Sequence, residues 1–330
     1  MPDTRLDVIG IGNAFVDVLS KSDDAFLADN GLDKGIMTLI DADQAERIYS
    51  RMGPGVEVSG GSAANTIAGV AAMGGKAGFI GKIADDQLGK VFAHDIAALG
   101  VEFDTARDPS GTATARCLIM VTPDAQRTMT SYLGAAQNIT ADDVDPDFIA
   151  AAKVTYLEGY LWDPPGGKAA FRKAMDVCEQ TGRRVSLTLS DPFCVDRHRD
   201  DFLDLVKNRV SLLSANEDEI VSLYQAKDFD DALQQVRGHC EVVALTRSEK
   251  GSVVLSGDEV HVIDSATVDK VVDTTGAGDL YAGGFLHAFT QGRSLHDCGV
   301  AGGLAAAEVI SHFGARPEAD LRAMMAEALN

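Results

Sequence analysis

Short apolar runs recur along this chain with helix-patterned stretches between them, and that alternation limits the fold more than any other feature. The runs are Leu6–Ile11, Gly78–Ile83, Val154–Leu157, Val185–Leu189, Val210–Leu213 and Val242–Thr246. Each is a short, largely apolar run and reads as a buried strand. Helical periodicity fills Ala63–Met73, Gln87–Leu99, Lys168–Gln180 and Phe229–Arg237. Buried strands alternating with amphipathic helices predict an α/β fold, a doubly wound and mostly parallel sheet with helices on both faces.

Two stretches break this rhythm. Residues 13–41 and 112–132 carry β-rich segments, including TATARCLIMVT and QRTMTSYL joined by the turn residues Pro123 and Asp124. They are expected to form a small β-sheet lid. The large α/β domain then takes residues 1–12, 42–111 and 133–330. With no internal repeat and no low-complexity linker, an independent second domain is not expected.

Composition narrows the function classes. The formal net charge is −21, from 29 basic and 50 acidic residues, which argues against nucleic acid as a partner. No apolar run reaches the roughly 18 residues of a membrane span. The N-terminus lacks a signal-peptide pattern. The five cysteines, at 117, 178, 194, 240 and 298, form no CxxC pair, so a reduced, cytoplasmic protein without disulfides or zinc is expected. The histidines show no HExxH spacing, and His198 is expected to face solvent.

Two glycine motifs carry candidate chemistry. Near the C-terminus, Asp273-Thr-Thr-Gly-Ala-Gly-Asp279 precedes an apolar helical pattern. Gly276, Ala277 and Gly278 can turn backbone N–H groups toward an anion at a helix start, where the dipole also favours negative charge. Asp279 in that first turn is placed to accept a proton from an attacking hydroxyl, as phosphoryl transfer requires. Earlier, Gly60-Gly61-Ser-Ala-Ala-Asn65 enters another helix. Its glycines allow close backbone approach, and Asn65 both donates and accepts hydrogen bonds. Taken singly, each motif is also what a glycine turn with a helix cap looks like. Other motifs fail: Gly10-x-Gly12 is followed by Phe15, so the dinucleotide fingerprint is incomplete, and Gly75-Lys76-Ala77 is no P-loop.

Together, GGSAANTIAGVAAMGGKAGFIGKIADDQLG and DTTGAGDLYAGGF resemble the two signatures of the ribokinase, or PfkB, carbohydrate-kinase family in order and spacing. Asn216-Glu-Asp-Glu219, after the run VSLLSA, resembles a further element of the same family. The resemblance covers essentially the whole chain. It implies an ATP-dependent kinase acting on a sugar or nucleoside hydroxyl, with Asp279 as base. It also implies Mg²⁺ held through Glu219, largely by way of water, with Asn216 supporting the network. Thr246, Arg247 and Gly251 resemble the loop under the nucleotide phosphates, although Arg247 reads equally well as a surface arginine.

Within the family, the local matches point to adenosine kinases. Asn13 and Asp17, in GIGNAFVDVL, match an early pattern in which the aspartate grips ribose hydroxyls. LTLSDPFCVDRH points to Phe193 as an aromatic wall for the base, with Phe15 as its partner; both read equally well as core residues. Arg127 matches a lid arginine that would cover the transferring phosphoryl group. Cys117, Met129 and Leu133 would cover the base from the lid. Adenosine is therefore the expected acceptor. Ribose, fructose or another nucleoside is the alternative, and a catalytically inert binding protein on the same fold is a reading from another class. The surroundings of Asp273, Thr275 and Gly314 resemble the monovalent-cation site of some relatives, so K⁺ activation stays open. So does the choice between monomer and homodimer.

Overall fold

The computed structural model describes residues 4–124 and 126–329. The expected boundary at residue 1 therefore lies outside the described residues. The large sheet runs in the order β13 (Glu259–Ile263), β12 (Ser252–Ser256), β11 (Val242–Thr246), β10 (Leu212–Asn216), β9 (Arg184–Thr188), β8 (Ala152–Glu158), β1 (Leu6–Ile11), β5 (Ala77–Ile80). All pairings from β5 through β11 are parallel; β12 and β13 add an antiparallel edge. The central strand shows why the apolar runs are continuous. Every residue of β1 is buried, and Val8 packs into one core while Ile9 and Ile11 pack into the other. Alternate side chains thus reach opposite faces, and helices cover both.

The observed strands correct the expected ones locally. The expected strand Gly78–Ile83 runs instead from Ala77 to Ile80, whose carbonyl accepts from Gly12 N (3.2 Å) at the end of the pairing with β1. The expected strand Val210–Leu213 moves on to Leu212–Asn216, because Val210 closes the preceding helix through a bond to Leu205 O (2.9 Å).

The small sheet has the order β3 (Met37–Leu39), β7 (Arg127–Tyr132), β6 (Ala115–Val121), β2 (Phe15–Lys21), β4 (Gly55–Gly60). It takes in residues 55–60, which the sequence reading had left with the large domain. Only the last two residues of β4 are buried, so it has no apolar run to announce it. One face of this sheet, with Val16, Val18, Leu118 and Met120, is buried in the core. The helices Asp24–Asp29 and Ala42–Arg51 contribute Leu27 and Ile48 to that core. The other face carries Phe15, Asp17 and Leu19 in register with Ala115, Cys117 and Ile119. Ala115 and Ile119 on it are buried, but Met37, Leu39 and Val56 at its rim are 52%, 60% and 63% exposed.

Two helices set the position of the site. Ser62–Ala72 and Ala277–Thr290 each begin at one of the glycine motifs. They pack side by side at close range because glycines make room: a Cβ at Gly69 would come within 2.7 Å of the Leu280 side chain, and one at Gly283 within 2.8 Å of Thr66 O. Such contact brings the two helix N-termini together.

His198 corrects its sequence expectation. It is half-buried, with Nε2 2.6 Å from Asp163 and its ring edge-on to Phe202. The five cysteines are free. Among the described residues, no helix is long and apolar enough to cross a membrane.

Candidate active site

The site lies at the carboxyl ends of the parallel strands, where open α/β sheets form their crevice. Asp279 occupies the first turn of Ala277–Thr290, beyond an N-cap glycine with φ of 79°. Gly276 is needed twice over, by that left-handed conformation and by Ala315, which a Cβ would meet at 2.7 Å. At Gly278 a Cβ would point into open space, so the helix start is unobstructed there. Ala277 N already donates to Thr274 O (3.2 Å), which leaves the amides that follow it in the first turn for an anion.

The Asp279 carboxylate is held by the neighbouring helix. Ser62 Oγ donates to Oδ1 (2.7 Å) and Asn65 Nδ2 to Oδ2 (2.9 Å). Burial raises its pKa above the usual aspartate value; the Ser62 and Asn65 hydrogen bonds and the charge of Arg316 act against that rise. Asn65 keeps its own carbonyl oxygen buried and, among the described residues, without a partner.

A second carboxylate, Glu158 at the end of β8, ties the early loop to this arrangement. It accepts from Asn13 Nδ2 (2.6 Å), Asn13 N (3.3 Å) and Ala63 N (2.8 Å). Burial pushes its pKa up to about 7, against those hydrogen bonds. Gly61, with φ of 104°, passes so close to Asn13 that a Cβ would lie 2.2 Å from the Asn13 carbonyl. Asn13, Gly61, Asn65 and Asp279 are therefore one connected unit.

Asp17 enters from β2 of the small sheet. Gly60 faces it across the strand pair, and a Cβ there would lie 2.5 Å from its carboxylate. Burial raises Asp17 to about 6, Arg316 pulls it down and Asp279 pushes it up. Among the described residues, no hydrogen bond reaches the Asp17 carboxylate. Cys117 is its register partner on β6 and accepts from Ser131 Oγ (3.5 Å); burial raises its thiol to about 12. Met129 follows on β7, opposite Ile119, and Leu133 just beyond β7 is half-buried. Phe15 begins β2, opposite Gly60 and Ala115.

Arg127, at the start of β7, crosses to the large domain and forms an ion pair with Asp273, while Phe313 lies over its guanidinium at 4.7 Å. Its Nη2 is buried without a partner among the described residues. Asp273 also accepts from Gly314 N (3.0 Å), Thr275 N (3.1 Å) and Thr275 Oγ (2.8 Å). Burial would raise Asp273, but those bonds and Arg127 hold it below the usual range.

Asn216 ends β10 and caps the helix Glu217–Tyr224. Asn216 Oδ1 accepts from Glu219 N (2.8 Å), and Glu219 accepts from Asn216 Nδ2 (2.7 Å) and Asn216 N (3.0 Å). Burial pushes Glu219 up to about 7, and Asp191, Asp218 and Asp279 add to the rise against the Asn216 bond. Among the described residues, no group of three or more His, Cys, Asp or Glu is placed to hold a metal alone. The residues fit a Mg²⁺ that arrives with phosphates and keeps its waters, with Glu219 in its outer sphere. Thr246 lies beside Asn216 on β11. Gly251, with φ of 78°, forms the following turn and accepts from Arg247 N (2.8 Å). The Arg247 side chain is engaged elsewhere, 4.0 Å over Phe229 and 3.3 Å from Glu217. Phe193 stands at the start of the helix Pro192–Asn208, 74% exposed and outside this bonded network.

Sequence reasoning missed Ser62, Glu158 and Arg316. Ser62 sat inside a motif already singled out, and Glu158 is the acid that closes the apolar run VTYL. Arg316 carries no local signal.

A two-sheet α/β fold with an anion-ready helix start and an adjoining buried carboxylate defines a small-molecule phosphotransferase. The chain matches the model of the pfkB family carbohydrate kinases over residues 35–321 and belongs to that family. It is an ATP-dependent phosphotransferase. Among solved structures it resembles a probable sugar kinase from Rhizobium etli CFN 42 (50% identity, 98% of this chain and 99% of the other, TM-score 0.90). It is equally similar to the adenosine kinase from Sinorhizobium meliloti (50% identity, 98% and 100%, TM-score 0.90). Among curated proteins it is 26% identical to a probable fructokinase-4 from Arabidopsis thaliana over 73% of this chain and 76% of that one.

Proposed function

We propose that this kinase transfers the γ-phosphoryl group of ATP to the 5′ hydroxyl of adenosine, giving AMP and ADP. The observation that carries the choice of adenosine is the 50% identity to the Sinorhizobium meliloti adenosine kinase across nearly the whole of both chains. In this reading Asp17 accepts hydrogen bonds from the ribose hydroxyls, and the free carbonyl of Asn65 accepts another. Phe15 and Phe193 flank the base, with Cys117, Met129 and Leu133 above it. Asp279 takes the proton of the attacking hydroxyl as the new O–P bond forms. The amides of Gly278 and Asp279 stabilise the transferring group, at the turn that Gly276 and Ala277 form. Arg127 leaves Asp273 to reach that group when the small sheet closes, which also excludes water. When bound, Mg²⁺ would neutralise phosphate charge, held through Glu219 with Asn216 in support. Thr246 and Gly251 line the nucleotide side; Arg247 supports that wall through Glu217.

A free sugar such as fructose is the second reading, favoured by the similarity to a probable sugar kinase at the same 50% identity. Phosphate transfer from Mg-ATP to adenosine, inosine, guanosine, ribose and fructose decides between them. Adenosine is expected to have the highest kcat/KM. No transfer to adenosine, with transfer to fructose or ribose, replaces the first reading by the second.

A further inference from the structure

Arg316 reaches the site from a part of the chain that neither glycine motif includes. It follows Gly314 and Ala315, and Ala315 rests against Gly276, so the loop is fixed against the turn that leads to Asp279. Its guanidinium is fully engaged. Nε and Nη2 fork onto Ser59 O (3.0 and 2.8 Å), Nη2 also donates to Ser59 Oγ (3.1 Å), and Nη1 donates to Ala64 O (2.7 Å). These bonds strap the end of β4 to the first turn of the helix Ser62–Ala72, the segment that supplies Ser62 and Asn65 to Asp279.

Every one of those acceptors is neutral. The positive charge of Arg316 is therefore not spent on a bonded carboxylate. The acids that face it are Asp17 from β2, Asp279 from the helix Ala277–Thr290, and Asp95 from the helix Gln87–Ala98. Glu158 on β8 and Glu219 on the helix Glu217–Tyr224 lie further off and add negative charge around Asp279. Acids drawn together in a desolvated site favour protonation, and a fixed cation opposes it. An arginine suits this role because it stays ionised: burial lowers Arg316 only to about 10.

We infer that Arg316 is a positioning residue whose charge keeps Asp279 and Asp17 ionised together at neutral pH, while its hydrogen bonds fix the turn that grips Asp279. The inference rests on Asp279 acting as the base. The sign follows directly. An acid that must be ionised gives a rate that falls as pH drops through its pKa. Removing the cation raises that pKa, so the acid limb of the pH–rate profile moves to higher pH. Each unit of movement is about a tenfold loss of rate on the acid side.

The test is the pH dependence of kcat/KM for the wild type and for R316K, R316Q and R316H, using the best acceptor of the wild type. R316Q is expected to move the acid limb up by about one unit or more and to regain rate at alkaline pH. R316K, which keeps the charge but loses the fork, is expected to lose rate with little movement of the limb. R316H is expected to lose rate as its imidazole deprotonates near pH 6.5, a fall that R316K lacks. A uniform loss in R316Q with the limb unmoved, or identical profile shapes for R316H and R316K, overturns the electrostatic role and leaves Arg316 as a strap. The lysine and histidine pair keeps the test open if R316Q does not fold. Absence of phosphate transfer by the wild type counts against the function itself, so the two failures are distinguishable.

Discussion

The two sheets each bring one aspartate to the same crevice, and they hold it in opposite ways. Asp279 comes from the large domain and is clamped before any ligand arrives, with one oxygen on Ser62 and the other on Asn65. Asp17 comes from the small sheet, with no hydrogen bond to its carboxylate among the described residues. It is placed by strand pairing and by the space that Gly60 leaves. A base must be aimed in advance, because misplacement of the reacting groups costs rate directly. A group that grips ligand hydroxyls is better left vacant, because any internal partner would have to be displaced. The contrast also follows the architecture. Helices cover both faces of the large sheet and supply rigid neighbours, while the small sheet buries one face and opens the other.

The largest expected effect breaks the clamped side. Asp279→Asn keeps the bonding shape but cannot take a proton. kcat is expected to fall about 10²- to 10⁴-fold, with acceptor affinity nearly unchanged. Steady-state kinetics with equilibrium binding measure both. A correctly folded Asp279→Asn enzyme with near-normal kcat would mean that the clamped carboxylate is not the base.

The vacant side should respond differently. Asp17→Ala removes an acceptor of charge-assisted hydrogen bonds, each worth about 1.5–3 kcal/mol. Acceptor KM is expected to rise about 10- to 100-fold, with a smaller change in kcat. Thermal stability should hold, because no internal bond to this carboxylate is lost. A variant that loses kcat and keeps KM would give Asp17 a part in the chemical step and erase the contrast with Asp279.

The same contrast explains what was legible in the sequence. Strands of the large sheet are buried on both faces, so β1, β8, β9 and β11 appear as unbroken apolar runs. Strand β4 pairs along its length but buries only Ser59 and Gly60, so GVEVSG carries no pattern that marks it as a strand. Strand β13 carries no such run for a related reason, since Val260 and Val262 face outward. In the site, the glycine motifs were legible because tight turns and close approach demand glycine wherever they occur. Arg316 was not, because its meaning depends on Ser59 and Ala64, more than 250 positions away in the chain. Arg127 lies in a segment whose β-rich pattern was legible, but its pairing with Asp273 was not, because the two residues stand 146 positions apart in the chain.

Phe193 gives the smallest effect and the sharpest test of the acceptor. A phenylalanine that is 74% exposed contributes little to the core, so its removal should leave stability within about 0.5 kcal/mol of the wild type. Its helix is capped independently by Asp191, which accepts from Cys194 N (2.6 Å), so the local backbone has no need of the ring. If the ring meets the adenine face, the loss is that of one aromatic contact, about 0.5–1.5 kcal/mol. That corresponds to a fall of roughly 2- to 10-fold in kcat/KM for adenosine. An acceptor without a base has nothing to stack, so transfer to ribose, where measurable, should be unchanged in Phe193→Ala. Equal losses for both acceptors would move Phe193 away from the base and toward a general role in the loop. A lowered melting temperature with unchanged selectivity would assign the ring to packing. A loss confined to nucleosides would extend the contrast between the domains. The large domain would then supply both the fixed base and an aromatic wall, and the small sheet the vacant grip on the sugar.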